Sequence, residues 1–237
     1  GLNTFKRDLM KNTLILVALL IFHFYSYAQH FDSIPSEIII SKTFVITDSG
    51  FKNLEKKQDT LIVKEISDTD QVSKAKNVLG QMNEFIKNTP ESKIILEIEN
   101  DSIWRYQVEK EIMIGDYIMI EKGKGVLNYY SKDKSTNYRK YDLFENQINI
   151  EKLENKEDKK IINGLDAFKI KLIIKQQFSD LGNTIYEMYV TDKLNLPAHS
   201  YINLPKYYQN LFPLEVISWE ENLPGILEKY EVTDIKY

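Results

Sequence analysis

The sequence predicts a mainly β protein of the α+β class, in which an antiparallel sheet carries one long amphipathic helix packed on it. Three observations lead to this class. Short stretches along most of the chain alternate apolar and polar residues with period two, turn-forming residues separate these stretches, and a single segment repeats its apolar residues every three or four positions. Short strands at this spacing are typical of antiparallel sheets.

The N-terminal segment is expected to be a secretory signal peptide that the mature protein lacks. Its apolar run at 14–22 has nine residues, whereas a helix needs about 20 residues to span a bilayer. Basic residues precede the run, and Ser26 and Ala28 put small residues where a signal peptidase cleaves. We therefore expect residues 1–28 to be an upstream segment plus a cleaved signal peptide, and residues 29–237 to be a single β-rich domain. A buried N-terminal element is the alternative.

Period-two alternation predicts the strands of the sheet. It is clear in two neighbouring stretches, 93–99 and 102–108, which a turn-like Asn-Asp-Ser sequence separates and which are predicted to form a hairpin. In the second of these stretches Trp104 and Tyr106 share one face with Val108. The other predicted strands are 37–47, 60–66, 116–121, 125–130, 136–143, 147–153, 165–176, 184–191, 214–219 and 226–235.

One segment departs from period two. Between Asp68 and Pro90 the apolar residues recur at intervals of three and four, and Asp68 with Gln71 resembles a capping box. These signals predict a helix at about residues 69–88. Its apolar stripe is expected to pack on the sheet and consists of Val72, Ala75, Val78, Leu79, Met82 and Ile86.

A long loop is predicted at 192–212. It contains Pro197 and Pro205, each preceded by leucine, and two prolines would remove hydrogen-bond donors from a central strand. Loops of this length inside compact domains often cover functional sites. We expect this one to lie over the sheet, with any ligand pocket beneath it.

Charge and composition limit the partners. Without residues 1–28 the chain has 28 Lys and Arg against 34 Asp and Glu. This acidic balance argues against a nucleic-acid partner, which requires clustered basic residues. The densest charge run, 151–160, mixes both signs and is interpreted as a solvated turn. The absence of cysteine excludes disulfides, thiolate metal sites, thiol nucleophiles and an acylated N-terminal cysteine.

Two motifs in the second half of the chain carry a family resemblance. The first surrounds a long strand and comprises Lys160, Ile161, Gly164, Phe168, Lys169, Tyr189 and Thr191. The second is Leu-Pro-Gly-Ile-Leu at 223–227. In order and spacing they resemble the GLPGLI family, a group of secreted β-rich proteins found mostly in Bacteroidetes, over roughly residues 93–237. Asn222 stands where that family has glycine, so the resemblance is to a divergent branch.

The C-terminal strands carry a second resemblance. It rests on Phe-Pro-Leu-Glu-Val-Ile-Ser-Trp at 212–219 and Glu-Lys-Tyr-Glu-Val-Thr-Asp-Ile at 228–235. These look like the last two strands of half-barrel proteins related to lipoprotein-sorting carriers. The resemblance implies an incurved antiparallel sheet, a half-barrel, with a helix against it, which agrees with the strands and helix identified independently.

Neither a catalytic motif nor a metal or cofactor motif stands out in the sequence. His199 beside Ser200 suggests a hydrolase, but no Gly-x-Ser-x-Gly motif is present, and His199 is interpreted as a satisfied or solvated loop histidine. The acidic residues are scattered without EF-hand spacing. Gly123 and Gly125 lack a following helix and indicate a hairpin turn rather than a phosphate-binding loop.

The candidate ligand-binding residues lie on strands near and within the family motifs. In the strand at 165–176 lysines alternate with apolar residues, so that one face is solvated and the other is buried. The buried faces of this strand and two later ones form either a groove beneath the 192–212 loop or ordinary core, and their candidates are Phe168, Ile170, Leu172, Tyr186, Met188 and Tyr230.

Two function classes follow. The first is a non-catalytic exported protein, periplasmic or extracellular and not membrane-spanning, that holds an apolar ligand such as a lipid or acyl chain on the concave face of its sheet. The second is a cell-envelope structural or protein-interaction module without a small-molecule ligand. An interior cavity on that face would distinguish the two classes.

Overall fold

One antiparallel sheet forms most of the protein. The computed structural model describes residues 34–145, 149–175, 181–204 and 211–237, apart from the side chain of Leu61. The predicted signal peptide lies outside these residues. The described strands are β1 (Glu37–Ile46), β2 (Ser92–Ile98), β3 (Ser102–Glu109), β4 (Ile112–Glu121), β5 (Val126–Tyr130), β6 (Asn137–Asp142), β7 (Ile150–Ile162), β8 (Leu165–Ile174), β9 (Thr184–Thr191), β10 (Phe212–Glu220) and β11 (Ile226–Lys236).

The two ends of the described chain meet at the middle of the sheet. The strand order is β6-β5-β4-β3-β2-β1-β11-β10-β9-β8-β7, so that β1 pairs with β11 while β6 and β7 form the edges. The sheet is therefore open across the described residues. The mainly β class and the antiparallel sheet are confirmed. No helix within the described ranges is long and apolar enough to cross a membrane.

Alternation gives the sheet one buried face, which we call the inner face. In β8 the side chains of Ile170 and Leu172 are buried on it, whereas Lys169 and Lys171 lie on the opposite face and both pair with Glu187. This is the division into a buried and a solvated face that the sequence predicts. Cross-strand register then extends the inner face over the whole sheet, because residues that pair directly point to the same side.

Several local predictions are confirmed. The hairpin of β2 and β3 pairs Ile98 with Ile103 across its turn, and β9 has the predicted bounds. The predicted helix is α2 (Thr69–Lys87), and the carboxylate of Asp68 accepts hydrogen bonds from the N–H groups of Asp70 and Gln71 at its start.

The expectation of a single long helix is not confirmed. A second helix, α1 (Asp48–Glu65), precedes α2, and the predicted strand at 60–66 is wrong because these residues form the last turns of α1 and the residue after it. Thr47 starts α1 by accepting a hydrogen bond from Gly50 N–H at 3.0 Å. This cap and the contacts between the helices outweigh the strand propensity of the β-branched residues near 62.

The apolar stripe of α2 does not pack on the sheet along its whole length. α2 pairs with α1 instead, through reciprocal amide hydrogen bonds of Gln58 with buried Asn83 (2.9 and 2.6 Å). Val78 and Met82 of the stripe are 57% and 53% exposed, and Phe85 beside them is 76% exposed. Only the C-terminal end of α2 approaches the inner face, as described below.

The charge run at 151–160 is part of edge strand β7, so its interpretation as a turn is wrong. Most of its side chains are exposed, as expected of a solvated run. Charged residues suit an edge strand, because a free sheet edge must be prevented from pairing with other strands, and charged residues and irregularities achieve this. The register of β7 against β8 shifts between Asn155 and Lys159.

A close contact fixes the start of α1 to the C-terminal motif. Gly225 has φ +94° and its carbonyl accepts the N–H of Thr47 at 2.8 Å. A Cβ on Gly50 would lie 2.5 Å from the backbone of Gly225. Both positions therefore require glycine, and the Leu-Pro-Gly-Ile-Leu motif has a defined structural role in this chain.

Candidate functional site: a cavity on the inner face

The loop between β9 and β10 covers part of the inner face. We call its described part, residues 192–204, the strap. Its apolar side chains Leu194, Leu196 and Leu204 are buried. Tyr201 follows a short 3-10 turn (Ala198–Ser200), and its hydroxyl donates to the carbonyl of Pro213 at 2.7 Å. The strap lies over the sheet, as the sequence predicts. Its leucines fill space in the core, and its Tyr201 lines the cavity described below.

The inner face of β8, β9 and β10 is tightly packed. The candidate ligand residues Ile170 and Leu172 are fully buried, and Met188 is 1% exposed. Register brings these three side chains together, since Ile170 pairs with Met188 and Leu172 with Tyr186. Phe168 and Tyr186 are half-buried and pack against the same core. We call this β8–β10 region the filled half.

The sixth candidate, Tyr230, lies on β11 at the border of a different region. It lines a cavity of about 280 Å³ on the inner face beside β1, β3 and β4. We call this space the arginine cavity, and the residues that matter for its chemistry are Lys42, Ile94, Arg105, Asp116, Tyr201 and Tyr230. Its volume is near the lower end of the range of small-molecule sites, which is about 300–1,000 Å³.

A second cavity of about 260 Å³ adjoins the first and shares Lys42, Gln107 and Ile114 with it. We call it the helix-end cavity. Its apolar wall is supplied by Phe44 of β1 and by Ile86 at the C-terminal end of α2, with Pro90 just beyond. The two cavities together define the open half of the inner face, which extends from Arg105 to the end of α2.

Arg105 is the functional residue that sequence reasoning missed. Its side chain is 9% exposed and stands between two apolar cross-strand neighbours, Leu96 on β2 and Ile118 on β4. Within the described residues its guanidinium makes one hydrogen bond, from Nη1 to the carbonyl of Ser200 at 3.4 Å. Burial lowers the pKa of Arg105 to about 10, and the groups that oppose this effect are the phenols of Tyr129 and Tyr230.

The other polar groups of the arginine cavity already have partners. Lys42 pairs with Glu228 at 3.3 Å, and the Tyr230 hydroxyl donates to the same carboxylate at 2.8 Å. Burial, and then the charge of Glu228, raise the pKa of Tyr230 well above its usual value. Gln107 Nε2 donates to the Ser92 hydroxyl at 2.6 Å. Within the described residues Arg105 is therefore the cation of this lining that has no carboxylate partner.

His199 lies in the strap near Arg105. It is buried rather than solvated, and it is only partly satisfied, since it has a backbone hydrogen bond with Lys122. It is 1% exposed, its ring stands edge-on to Phe144 at 5.3 Å, and its Nε2 has no hydrogen-bond partner within the described residues. Burial, with a smaller contribution from the positive charge of Arg105, lowers the pKa of His199 to about 4. The neutral imidazole is thus the stable form at neutral pH.

The neighbouring hydroxyl does not make a catalytic pair with this histidine. Ser200 Oγ donates its proton to the carbonyl of Pro197 at 2.6 Å, so the hydrogen bond that activates a serine nucleophile is not formed. Within the described ranges no three His, Asp or Glu residues cluster in a way that could hold a metal ion. The lining of the two cavities combines one guanidinium with an apolar wall.

Comparisons of the chain with protein-family models, with curated proteins and with solved structures find no significant match.

Proposed function

We propose that this protein is a non-catalytic, exported binding protein that holds an apolar ligand, such as a lipid or acyl chain, on the inner face of its sheet. In this proposal the sheet curves inward as a half-barrel, and the chain is a divergent relative of the GLPGLI family. The observation that carries the proposal is the pair of adjoining cavities of about 280 and 260 Å³ on the inner face.

The shape of the open half supports an elongated guest. The two cavities share three lining residues, so a chain-like molecule reaches from Tyr230 to Phe44 and Ile86 without crossing a packed layer. Sites of small-molecule ligands combine apolar walls with a few placed polar groups, which is the composition of this lining.

Uptake of a fluorescent fatty-acid analogue tests the proposal. Purified residues 29–237 should bind the probe with saturation. Ile114→Trp should weaken binding about tenfold or more, because Ile114 lines both cavities and the larger ring fills them. The matched control is Ile217→Trp, which places the same ring on the outer face of β10 and should leave binding unchanged. Absence of saturable uptake by the unaltered protein would reject the proposal.

A second candidate function is a protein-interaction module of the cell envelope. The observation that favours it is the exposed apolar face of α2, where Val78, Met82 and Phe85 stand at helical spacing and are more than half exposed. Under this alternative Ile114→Trp has no functional effect, and Phe85→Lys is the damaging change. Probe uptake by the unaltered protein, unaffected by Phe85→Lys, favours the binding protein.

A further inference from the structure

We propose that the ligand of the open half is an aliphatic monocarboxylate whose carboxylate is bound by Arg105. This inference rests on the proposed function, whose site it shares, and it names the class of ligand. The carboxylate end lies in the arginine cavity and the hydrocarbon end extends towards the helix-end cavity.

The first argument is the uncompensated charge of Arg105. A guanidinium has five N–H donors, and this one has a single long hydrogen bond within the described residues. Its cross-strand neighbours are a leucine and an isoleucine. A buried charge is costly unless it is paired and hydrogen-bonded, and here the guanidinium faces an open cavity. An anion in that cavity would supply the missing acceptors, and carboxylates match the planar fork of arginine.

The charged groups of the arginine cavity also limit the charge of the ligand. Lys42 is the other cation of the lining, and it is paired with Glu228 at 3.3 Å. Asp116 adds a further carboxylate to the lining. Apart from the Lys42–Glu228 pair, the lining holds one positive charge, on Arg105, and the carboxylate of Asp116, which favours a monoanion over a dianionic phosphate ester.

The third argument is the distribution of apolar surface. Beyond Gln107 and Ile114 the helix-end cavity has an apolar wall of Phe44, Ile86 and Pro90. The rest of its lining is polar or charged and consists of Lys42, Thr89, Ser92, Glu109 and Glu228. A hydrocarbon chain is expected there because burial of apolar area drives its transfer from water. The charged end of such a ligand would contact Arg105, and its apolar end would contact Phe44 and Ile86 at the other end of the open half.

Competition by three octyl compounds against the fluorescent probe tests the inference on residues 29–237. Octanoate, octanol and octyl phosphate share a chain and differ in the head group. At neutral pH octanoate should displace the probe at a concentration about tenfold lower than octanol, as expected for a charge-assisted hydrogen bond, and below that of octyl phosphate.

Variants of two arginines test whether Arg105 causes the preference for octanoate over octanol. Arg105→Met keeps an unbranched apolar side chain as far as about the position of Nε and removes the guanidinium, so it should reduce the preference for octanoate over octanol to about one. Arg105→Lys, which keeps a charge without the planar fork, should retain part of the preference. Arg139→Met on β6 is the matched control because Arg139 is exposed over the ring of Tyr129, and it should keep the full preference.

The outcomes separate this inference from the proposed function. If octanol competes as well as octanoate against the unaltered protein, the carboxylate assignment is wrong while the binding function stands. Stronger competition by octyl phosphate would likewise overturn it. If no octyl compound competes and the probe does not bind, both fail. Because the head-group preference is measured on the unaltered protein, the test does not depend on the folding of any variant.

Discussion

The two halves of the inner face differ although both arise from period-two strands. In the filled half Ile170, Leu172 and Met188 meet the leucines of the strap, and their side chains are inaccessible to solvent. In the open half Arg105 and Lys42 occupy inner-face positions, and cavities remain beside them. The difference teaches that the location of the cavities depends on where polar residues replace apolar ones on the buried face.

Five of the six ligand residues predicted from the sequence lie in the filled half and line neither of the two cavities. Methionine and isoleucine on a buried strand face suit a groove or a core equally well. Here the strap makes this face part of the core, because its Leu196 and Leu204 are fully buried in the same cluster. Tyr230 lies at the border of the two halves, since it contacts Tyr201 of the strap and lines the arginine cavity.

A charged side chain placed in the filled half should change the free energy of unfolding more than any other substitution considered. Met188→Glu buries an unpaired carboxylate and should lower the free energy of unfolding by about 5 kcal/mol, enough to unfold a domain of ordinary stability. Urea denaturation followed by circular dichroism measures this. Ile217→Glu, on the partly exposed outer face of β10, should cost less than about 1 kcal/mol. A folded Met188→Glu protein would mean that Met188 adjoins a space open to solvent.

Matched truncations compare the halves directly. Ile170→Ala removes methyl groups from a fully packed site and should cost about 4 kcal/mol. Ile94→Ala should cost about 2 kcal/mol, because Ile94 lines the arginine cavity and its side chain already lacks neighbours on one side. Both values come from urea denaturation. Equal losses would show that the two halves are packed alike.

His199 makes the stability of the protein depend on pH in the acidic range. The folded-state pKa is about 4, below the usual value of 6.5, so the unfolded chain binds more protons between these values. The contribution of His199 to stability is therefore complete above pH 6.5 and is lost as the pH falls towards 4, by about 3 kcal/mol in total.

Denaturation at several pH values checks this prediction against His199→Asn, whose amide preserves a hydrogen-bond donor without titrating in this range. The difference in unfolding free energy between the two proteins should narrow as the pH falls from 6.5 to 4. A difference that stays constant over this interval would show that the imidazole is not held neutral in the fold.

The smallest expected effect has the opposite sign. Arg105→Met should raise the free energy of unfolding of the ligand-free protein by about 1 kcal/mol, because it replaces a buried unpaired charge with an unbranched apolar side chain. Thermal or urea denaturation detects such a change. A loss of stability of about 2 kcal/mol or more would indicate that the guanidinium is a satisfied structural group.

Local patterns were sufficient for most strands and for α2, because alternation and caps depend on residues close in sequence. The helix α1 was mistaken in part for a strand, since its capping contact with Gly50 and its pairing through Asn83 are not visible in a propensity pattern. The edge strand β7 was mistaken for a turn because its charges resemble those of a solvated connection.

The site was less predictable than the fold. Arg105 stands in a stretch whose aromatic residues Trp104 and Tyr106 look like the buried face, whereas the structure buries Ile103 and Arg105 more deeply. Which face turns inward depends on the pairing with Leu96 and Ile118, and register between distant strands is not readable from one sequence. An arginine in an otherwise apolar and aromatic strand is the signal that could have identified it.

The most direct test of the account is the position of a bound ligand. A crystal structure of residues 29–237 with octanoate brominated at its terminal carbon locates both ends, since the bromine is identified by anomalous scattering. The account predicts a carboxylate within hydrogen-bonding distance of the Arg105 guanidinium and a bromine beside Phe44 and Ile86. A bromine between the strap and Met188, or on the exposed face of α2, would contradict it.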